Sequence, residues 1–133
     1  MASILVIDDD DAVLTTIKIL LERQSHDVAV ASTGKKGLQL LQAQSFDLTI
    51  VDIFMPDLDG FETMSRIHLL RPAIPIIVIS GYEFQVTSSS PPDFLRIATQ
   101  LGAVASVRKP FRPSDLLAAV TQCLAARNDR AGD

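Results

Sequence analysis

Three short stretches of the chain, Ile4 to Ile7, Phe46 to Val51 and Ile76 to Ile79, are nearly continuous apolar runs rich in β-branched residues. Runs of that kind, without alternation, are the pattern of strands covered on both faces, as in a parallel sheet between two layers of helices. Val28 to Ala31 and Val104 to Val107 are weaker runs that suit the sheet's edges. Between the runs the apolar spacing changes to that of a helix. Val13, Leu14, Ile17, Leu20 and Leu21 make one stripe, Leu38 and Leu41 a second, and Phe61, Met64, Ile67 and Leu70 a third. Phe94, Ile97, Ala98 and Leu101 supply the fourth, and Leu116, Leu117, Val120 and Leu124 the fifth. Asp10 or Asp11 is placed to cap the first helix, Asp59 with Glu62 has the spacing of a capping box, and Gly102 suits the end of the fourth helix.

Repeated strand and helix units joined by right-handed crossovers predict an α/β fold. The expected form is flavodoxin-like: a doubly wound five-stranded parallel sheet, order 2-1-3-4-5, with helices on both faces. The stretch from Gly81 to Pro92, rich in Ser and Pro, reads as a long loop. Residues 1–126 make one domain on this reading, and residues 127–133 a frayed C-terminal tail.

Composition narrows the class. With 47% hydrophobic and 21% charged residues over 133 positions, the chain is of ordinary globular make-up. No apolar run has the length of a membrane span and no signal-peptide pattern opens the sequence, so the expectation is a cytoplasmic protein without a membrane partner. The net charge of -4 gives no basic footprint, which argues against direct nucleic-acid binding; Arg108, Lys109 and Arg112 form only a local cluster. Cys123 has no second cysteine to bridge and reads as an inert thiol near a buried helix face. His26, in a loop, and His68, on a helix, read as solvated, and Met55, Phe61 and Met64 as packing residues.

The candidate chemistry lies at the strand ends. In open α/β sheets the ligand site sits beyond the carboxyl ends of the strands, where the winding reverses. The first strand ends in Asp8 and Asp9, the third runs into Asp52, the fourth ends in Ser80 and the fifth in Lys109. Three carboxylates on one rim repel one another, so the site should raise a pKa or recruit a cation. Magnesium suits it, with Asp9, Asp52 and a nearby backbone carbonyl as oxygen ligands and Asp8 acting through a water. Lys109 and Ser80 are the charge and the hydroxyl donor that a transferring phosphoryl group needs, with Asp52 as nucleophile. A solvated acidic helix start is the plainer reading of Asp8 to Asp11.

Four segments, in this order and at these strand ends, resemble the receiver domain of two-component response regulators. They are Ile4-Leu5-Val6-Ile7-Asp8-Asp9-Asp10, Asp52 with Met55-Pro56-Asp57-Leu58-Asp59-Gly60, Ile79-Ser80-Gly81, and Lys109-Pro110-Phe111. The resemblance implies that Asp52 takes a phosphoryl group from a phosphohistidine of a sensor histidine kinase or a histidine phosphotransfer protein. It also implies magnesium held by Asp9, Asp52 and the backbone carbonyl of Phe54, with Asp8 orienting a bound water. Lys109 would pair with the acidic cluster and then the phosphoryl group, Ser80 would hydrogen-bond it, and the bond before Pro110 would be cis. Signalling would pass through phosphorylation-dependent contacts with a downstream protein target. The chain departs from the family's pattern at Ser106, where an aromatic residue is usual, and in the length of Gly81 to Pro92.

A magnesium phosphohydrolase also uses a strand-end Asp, but wants a second Asp two residues on as general acid and base, where this chain has Phe54. A switch that is not an enzyme, with at most slow self-dephosphorylation, is therefore expected. An FMN module of the same fold would need a phosphate loop where Asp8 to Asp11 stand. A receiver-like module that binds partners without phosphorylation is the remaining alternative.

Overall fold

A computed structural model of the chain describes residues 2–53, 60–80 and 98–132, with Ser80 and residues 127–132 described through their backbone alone. The strands are β1 (Ser3–Ile7), β2 (Asp27–Ala31), β3 (Leu48–Asp52), β4 (Ile76–Ser80) and β5 (Ala103–Arg108). The helices are α1 (Asp11–Glu22), α2 (Gly34–Ala43), α3 (Gly60–Leu70) and α4 (Pro113–Gly132), with a further helical segment at residues 98–100. All neighbouring strands are parallel, and the order is β2-β1-β3-β4-β5, as the alternation of patterns predicts.

The unbroken apolar run of β1 is explained by its two neighbouring layers. Ile4, Leu5, Val6 and Ile7 are all fully buried. Ile4 and Val6 join Leu14, Ile17, Leu116 and Val120 in the core beneath α1 and α4. Leu5 and Ile7 point the other way, into the core made with Leu38, Leu41, Met64 and Ile67 of α2 and α3. Successive residues of a strand face opposite sides, so a strand between two helix layers needs an apolar residue at every position.

Local signals decide the ends. Asp10 caps α1, its carboxylate accepting from the N–H of Ala12 at 2.9 Å and of Val13 at 3.4 Å. Thr33 caps α2 in the same way, accepting from Lys36 N–H at 3.1 Å. Gly102 adopts φ +107° after the helical segment at 98–100, a conformation that costs glycine little. The Asp59 capping position, the loop from Gly81 to Pro92 and most of the fourth helical stripe lie outside the described residues.

Four details differ from the sequence reading. β3 starts at Leu48, because Asp47 is engaged at the foot of the sheet, where its carboxylate accepts from Ser3 N–H at 2.8 Å; Phe46 is still buried, outside the strand. The α4 backbone stays helical through Gly132, into residues read as a frayed tail, since Ala and Arg favour the helix there and neither Pro nor Gly interrupts before Gly132. His26 is not simply solvated: its Nδ1 accepts from Ala2 N–H at 3.1 Å, and burial lowers its pKa. His68 is half-buried, with Nδ1 out of solvent and lacking a hydrogen-bond partner. Cys123 is buried, and burial pushes its thiol pKa up, as suits an unreactive packing residue. Among the described residues, no helix is long and apolar enough to cross a membrane.

In mid-sheet, Thr49 is fully buried and its Oγ1 finds no hydrogen-bond partner. A buried hydroxyl without a partner costs roughly 1–3 kcal/mol. Thr49→Val is therefore expected to stabilise the protein by about 1 kcal/mol, read from the urea unfolding midpoint. A lower midpoint would mean that the hydroxyl is satisfied after all.

Candidate functional site

The two central strands deliver the acidic residues. Asp8 follows β1 directly, and its N–H donates to the Ala31 carbonyl at 3.1 Å, carrying the β1–β2 ladder one residue past the strand. Asp52 is the last residue of β3, and the next N–H, of Ile53, donates to the Ile79 carbonyl at 3.1 Å. The carboxylates thus sit on backbone that is hydrogen-bonded in the sheet at the point where the winding reverses, and their positions are set by the core rather than by a loop.

Lys109, just past β5, reaches back over this rim. Its Nζ lies 3.0 Å from Asp8 Oδ2 and 3.2 Å from Asp52 Oδ2. The Lys109–Pro110 peptide bond is cis, as the family resemblance implied. Asp8 is fully buried and Asp52 is 3% exposed, whereas Asp9 faces solvent. One carboxylate oxygen from each of Asp8, Asp9 and Asp52 falls within 4.8 Å of the others. Of the residues singled out in the sequence, the structure therefore gathers Asp8, Asp9, Asp52 and Lys109. Ser80 closes β4 beside β3, in register with Arg108, but its side chain is outside the described residues, and so is Phe54.

Charge in this site is unevenly matched. Burial is the main reason that the Asp8 pKa rises from 3.8 to about 6. The Asp52 charge raises it further, while the Asp10 N–H at 2.9 Å from Asp8 Oδ1 and the pairing with Lys109 hold it down. Burial disfavours the Lys109 charge, but Asp8 and Asp52 together outweigh it and the lysine pKa rises. The ion pair leaves a deficit: one ammonium, 3.0 Å from Asp8 Oδ2 and 3.2 Å from Asp52 Oδ2, is shared between two buried carboxylates. Three carboxylates whose oxygens lie within 4.8 Å of one another, with one lysine between two of them, are a donor set that fits a hard divalent cation.

Gly60 received no role of its own in the sequence reading. A Cβ on it would collide with the Ile53 Cα and stand 2.5 Å from the Asp52 carbonyl oxygen. Its N–H donates to the Ile53 carbonyl at 3.2 Å. The start of α3 thus presses backbone to backbone against the residues carrying the Asp52 carboxylate, and only glycine permits that approach. The signal was present as a glycine in the segment after Asp52, but its spatial neighbour is not legible from spacing alone.

A carboxylate trio and a bridging lysine at the switch point of a doubly wound sheet define the receiver class of signalling domains. The chain belongs to the response regulator receiver domain family, which it matches over residues 4–121. It is 33% identical to the transcriptional regulatory protein ZraR of Escherichia coli over 92% of its own length and 26% of that protein's. It is 29% identical to the alkaline phosphatase synthesis transcriptional regulatory protein PhoP of Bacillus subtilis, over 91% of its own length and 48% of PhoP. A CheY-like response regulator receiver domain protein from Methanospirillum hungatei has the same fold in its crystal structure, with TM-score 0.88, 31% identity and 98% of each chain covered. The chain spans about a quarter to a half of the length of the curated relatives it matches. As a receiver domain it is of a class that switches by accepting a phosphoryl group.

Two predictions follow from this geometry. An Asp8 pKa raised above its unfolded value gives stability that is present below about 3.8 and lost as pH rises through about 6, because the unfolded chain releases that proton first. Metal-free Asp8→Asn protein should therefore have a higher urea midpoint than the native chain near pH 7, and a flatter pH profile between those values; a lower midpoint contradicts the electrostatic account. Gly60→Ala should destabilise by roughly 1–3 kcal/mol and shift the amide resonances of Asp52 and Ile53. Unchanged stability and spectra would show that α3 and β3 have room to separate.

Proposed function

We propose that Asp52 accepts a phosphoryl group from the phosphohistidine of a sensor histidine kinase or histidine phosphotransfer protein, with magnesium as cofactor, and that the modified chain signals through protein contacts. The observation that carries this reading is the lysine bridge: one ammonium within 3.2 Å of two nearly dry carboxylates. In the transfer, a carboxylate oxygen of Asp52 bonds to phosphorus while the phosphorus–nitrogen bond of the donor breaks and its electrons return to the imidazole. The products are an acyl phosphate and a free histidine.

Lys109, 3.2 Å from Asp52 Oδ2, is the proposed cation for the charge that accumulates on the incoming phosphoryl oxygens, and its nearness to Asp52 supports that role. Ser80, closing the strand next to β3, is the proposed hydroxyl donor to the same oxygens. Asp9, Asp52 and the backbone carbonyl of Phe54 are the proposed magnesium ligands, with Asp8 acting through a water; the closeness of the three carboxylates supports that role. Bound magnesium would supply the positive charge that this rim lacks.

The acyl phosphate adds roughly two negative charges, enough to bias a two-state element. On β5 the exposed Ser106 takes the place usual for an aromatic, so coupling from Ser80 to a downstream protein target runs without an aromatic ring at that position. The acceptor unit on this reading is residues 1–126, with 127–133 beyond it, and its place of action is the cytoplasm. Phe54 supplies no acid or base for attack by water, which leaves slow self-dephosphorylation as the only turnover.

Intact mass spectrometry after incubation with a small acyl phosphate tests the reading. One phosphoryl group is expected with magnesium present and none without it or in Asp52→Asn. A folded, magnesium-binding chain that gains nothing would instead be a binding module that works unphosphorylated. Magnesium affinity should fall as pH drops below about 6, since protonated Asp8 competes with the cation. Calorimetric titration at several pH values checks this, and a pH-independent affinity would remove Asp8 from the metal site.

A further inference from the structure

Away from the acidic rim, α2 and α3 pack side by side and leave a groove of about 660 Å³ between their outer faces. Leu38 lines its inner side, and Leu69 and Leu70 its α3 edge. The core already has its α3 contribution from Met64 and Ile67, yet Leu69 is 78% and Leu70 37% exposed, so burial in this domain does not account for them. Their side chains add apolar surface to a concave site, unlike scattered single surface leucines.

The charge around the groove is of opposite sign to that of the chain. Net charge is -4, but the charged residues lining the groove are Lys35 and Arg66, both cations. Arg66 pairs with Glu62 at 2.9 Å across exposed surface. Lys35 and Lys36 make no ion pair among the described residues, and they occupy the first turn of α2, which holds no acidic residue. The helix dipole is already positive there, so two lysines are locally unfavourable. A carboxylate brought by a partner would relieve that repulsion.

We infer that this groove docks an amphipathic helix of a partner protein, with an apolar seam against Leu38, Leu69 and Leu70 and carboxylates facing Lys35, whose neighbour Lys36 adds positive charge in the same helical turn just outside the lining. From Lys35 to Gln42 the groove follows α2 for about 10 Å, two helical turns, which matches apolar anchors spaced i, i+3 or i+4, and i+7. None of Asp8, Asp9, Asp52 and Lys109 lines it, so the inference is independent of the phosphoacceptor reading.

The test is a nitrogen-edited NMR titration of the full chain with a designed helical peptide carrying a leucine seam flanked by glutamates. Its controls are a peptide with lysines in place of those glutamates and a scrambled glutamate peptide. Perturbed amides should cluster on 35–42 and 66–70, and the lysine peptide should bind about fivefold more weakly. Leu69→Ser should weaken binding about tenfold, with an unchanged circular dichroism spectrum because the side chain is exposed. In Lys35→Glu/Lys36→Glu protein the preference should pass to the lysine peptide. Shifts centred elsewhere, equal binding of the scrambled peptide, or no binding at about 1 mM would overturn the proposal. So would self-association of the chain through this same groove in sedimentation, which would make a second copy the occupant.

Discussion

Asp8 and Asp52 are held almost out of water beside a single ammonium, that of Lys109. Buried like charges are tolerated only where something fixes them, and the fold supplies the fixing. The carboxylates hang from adjacent central strands whose backbones are hydrogen-bonded to the last residue, and those strands are clamped between two apolar cores. Gly60 lets the next helix close directly on the Asp52 backbone. Relaxation that would spread the charges apart is opposed by the packing, so the rim stays short of positive charge. A site in that condition favours whatever brings a cation to it.

The same shortage makes the site a switch rather than a static ion pair. Lys109 is shared between two acceptors, Asp8 Oδ2 and Asp52 Oδ2. A change in the charge on Asp52 must therefore alter the balance among all three groups. Because the Asp8 pKa sits at about 6, the balance is also close to a change of protonation at ordinary pH.

Much of this was legible in the sequence, for identifiable reasons. The β1 run of four apolar residues followed by four aspartates states both that the strand is buried on both faces and where it leaves the core. Given the order of a doubly wound sheet, Asp8, Asp9, Asp52 and Lys109 had to meet at one rim. What spacing does not encode is contact across the chain. The role of Gly60 depends on Ile53 and Asp52 lying under it, and that of His26 on Ala2 lying beside it. Residues 127–133 read as a frayed tail, yet the α4 backbone continues to Gly132, because Ala and Arg extend helices well. The groove between α2 and α3 was invisible for the same reason as Gly60: Leu70 reads as part of an inward stripe until the packing shows it at the edge.

The central claim is that one particular carboxylate forms the acyl phosphate, and its chemistry allows the site to be read directly. Borohydride reduces an acyl phosphate to the alcohol, so a phosphorylated aspartate becomes homoserine, which peptide mass mapping locates. After treatment with a small acyl phosphate and magnesium, homoserine is predicted at position 52 and nowhere else. Homoserine at Asp8 or Asp9, or none in a chain that binds magnesium, would contradict the account.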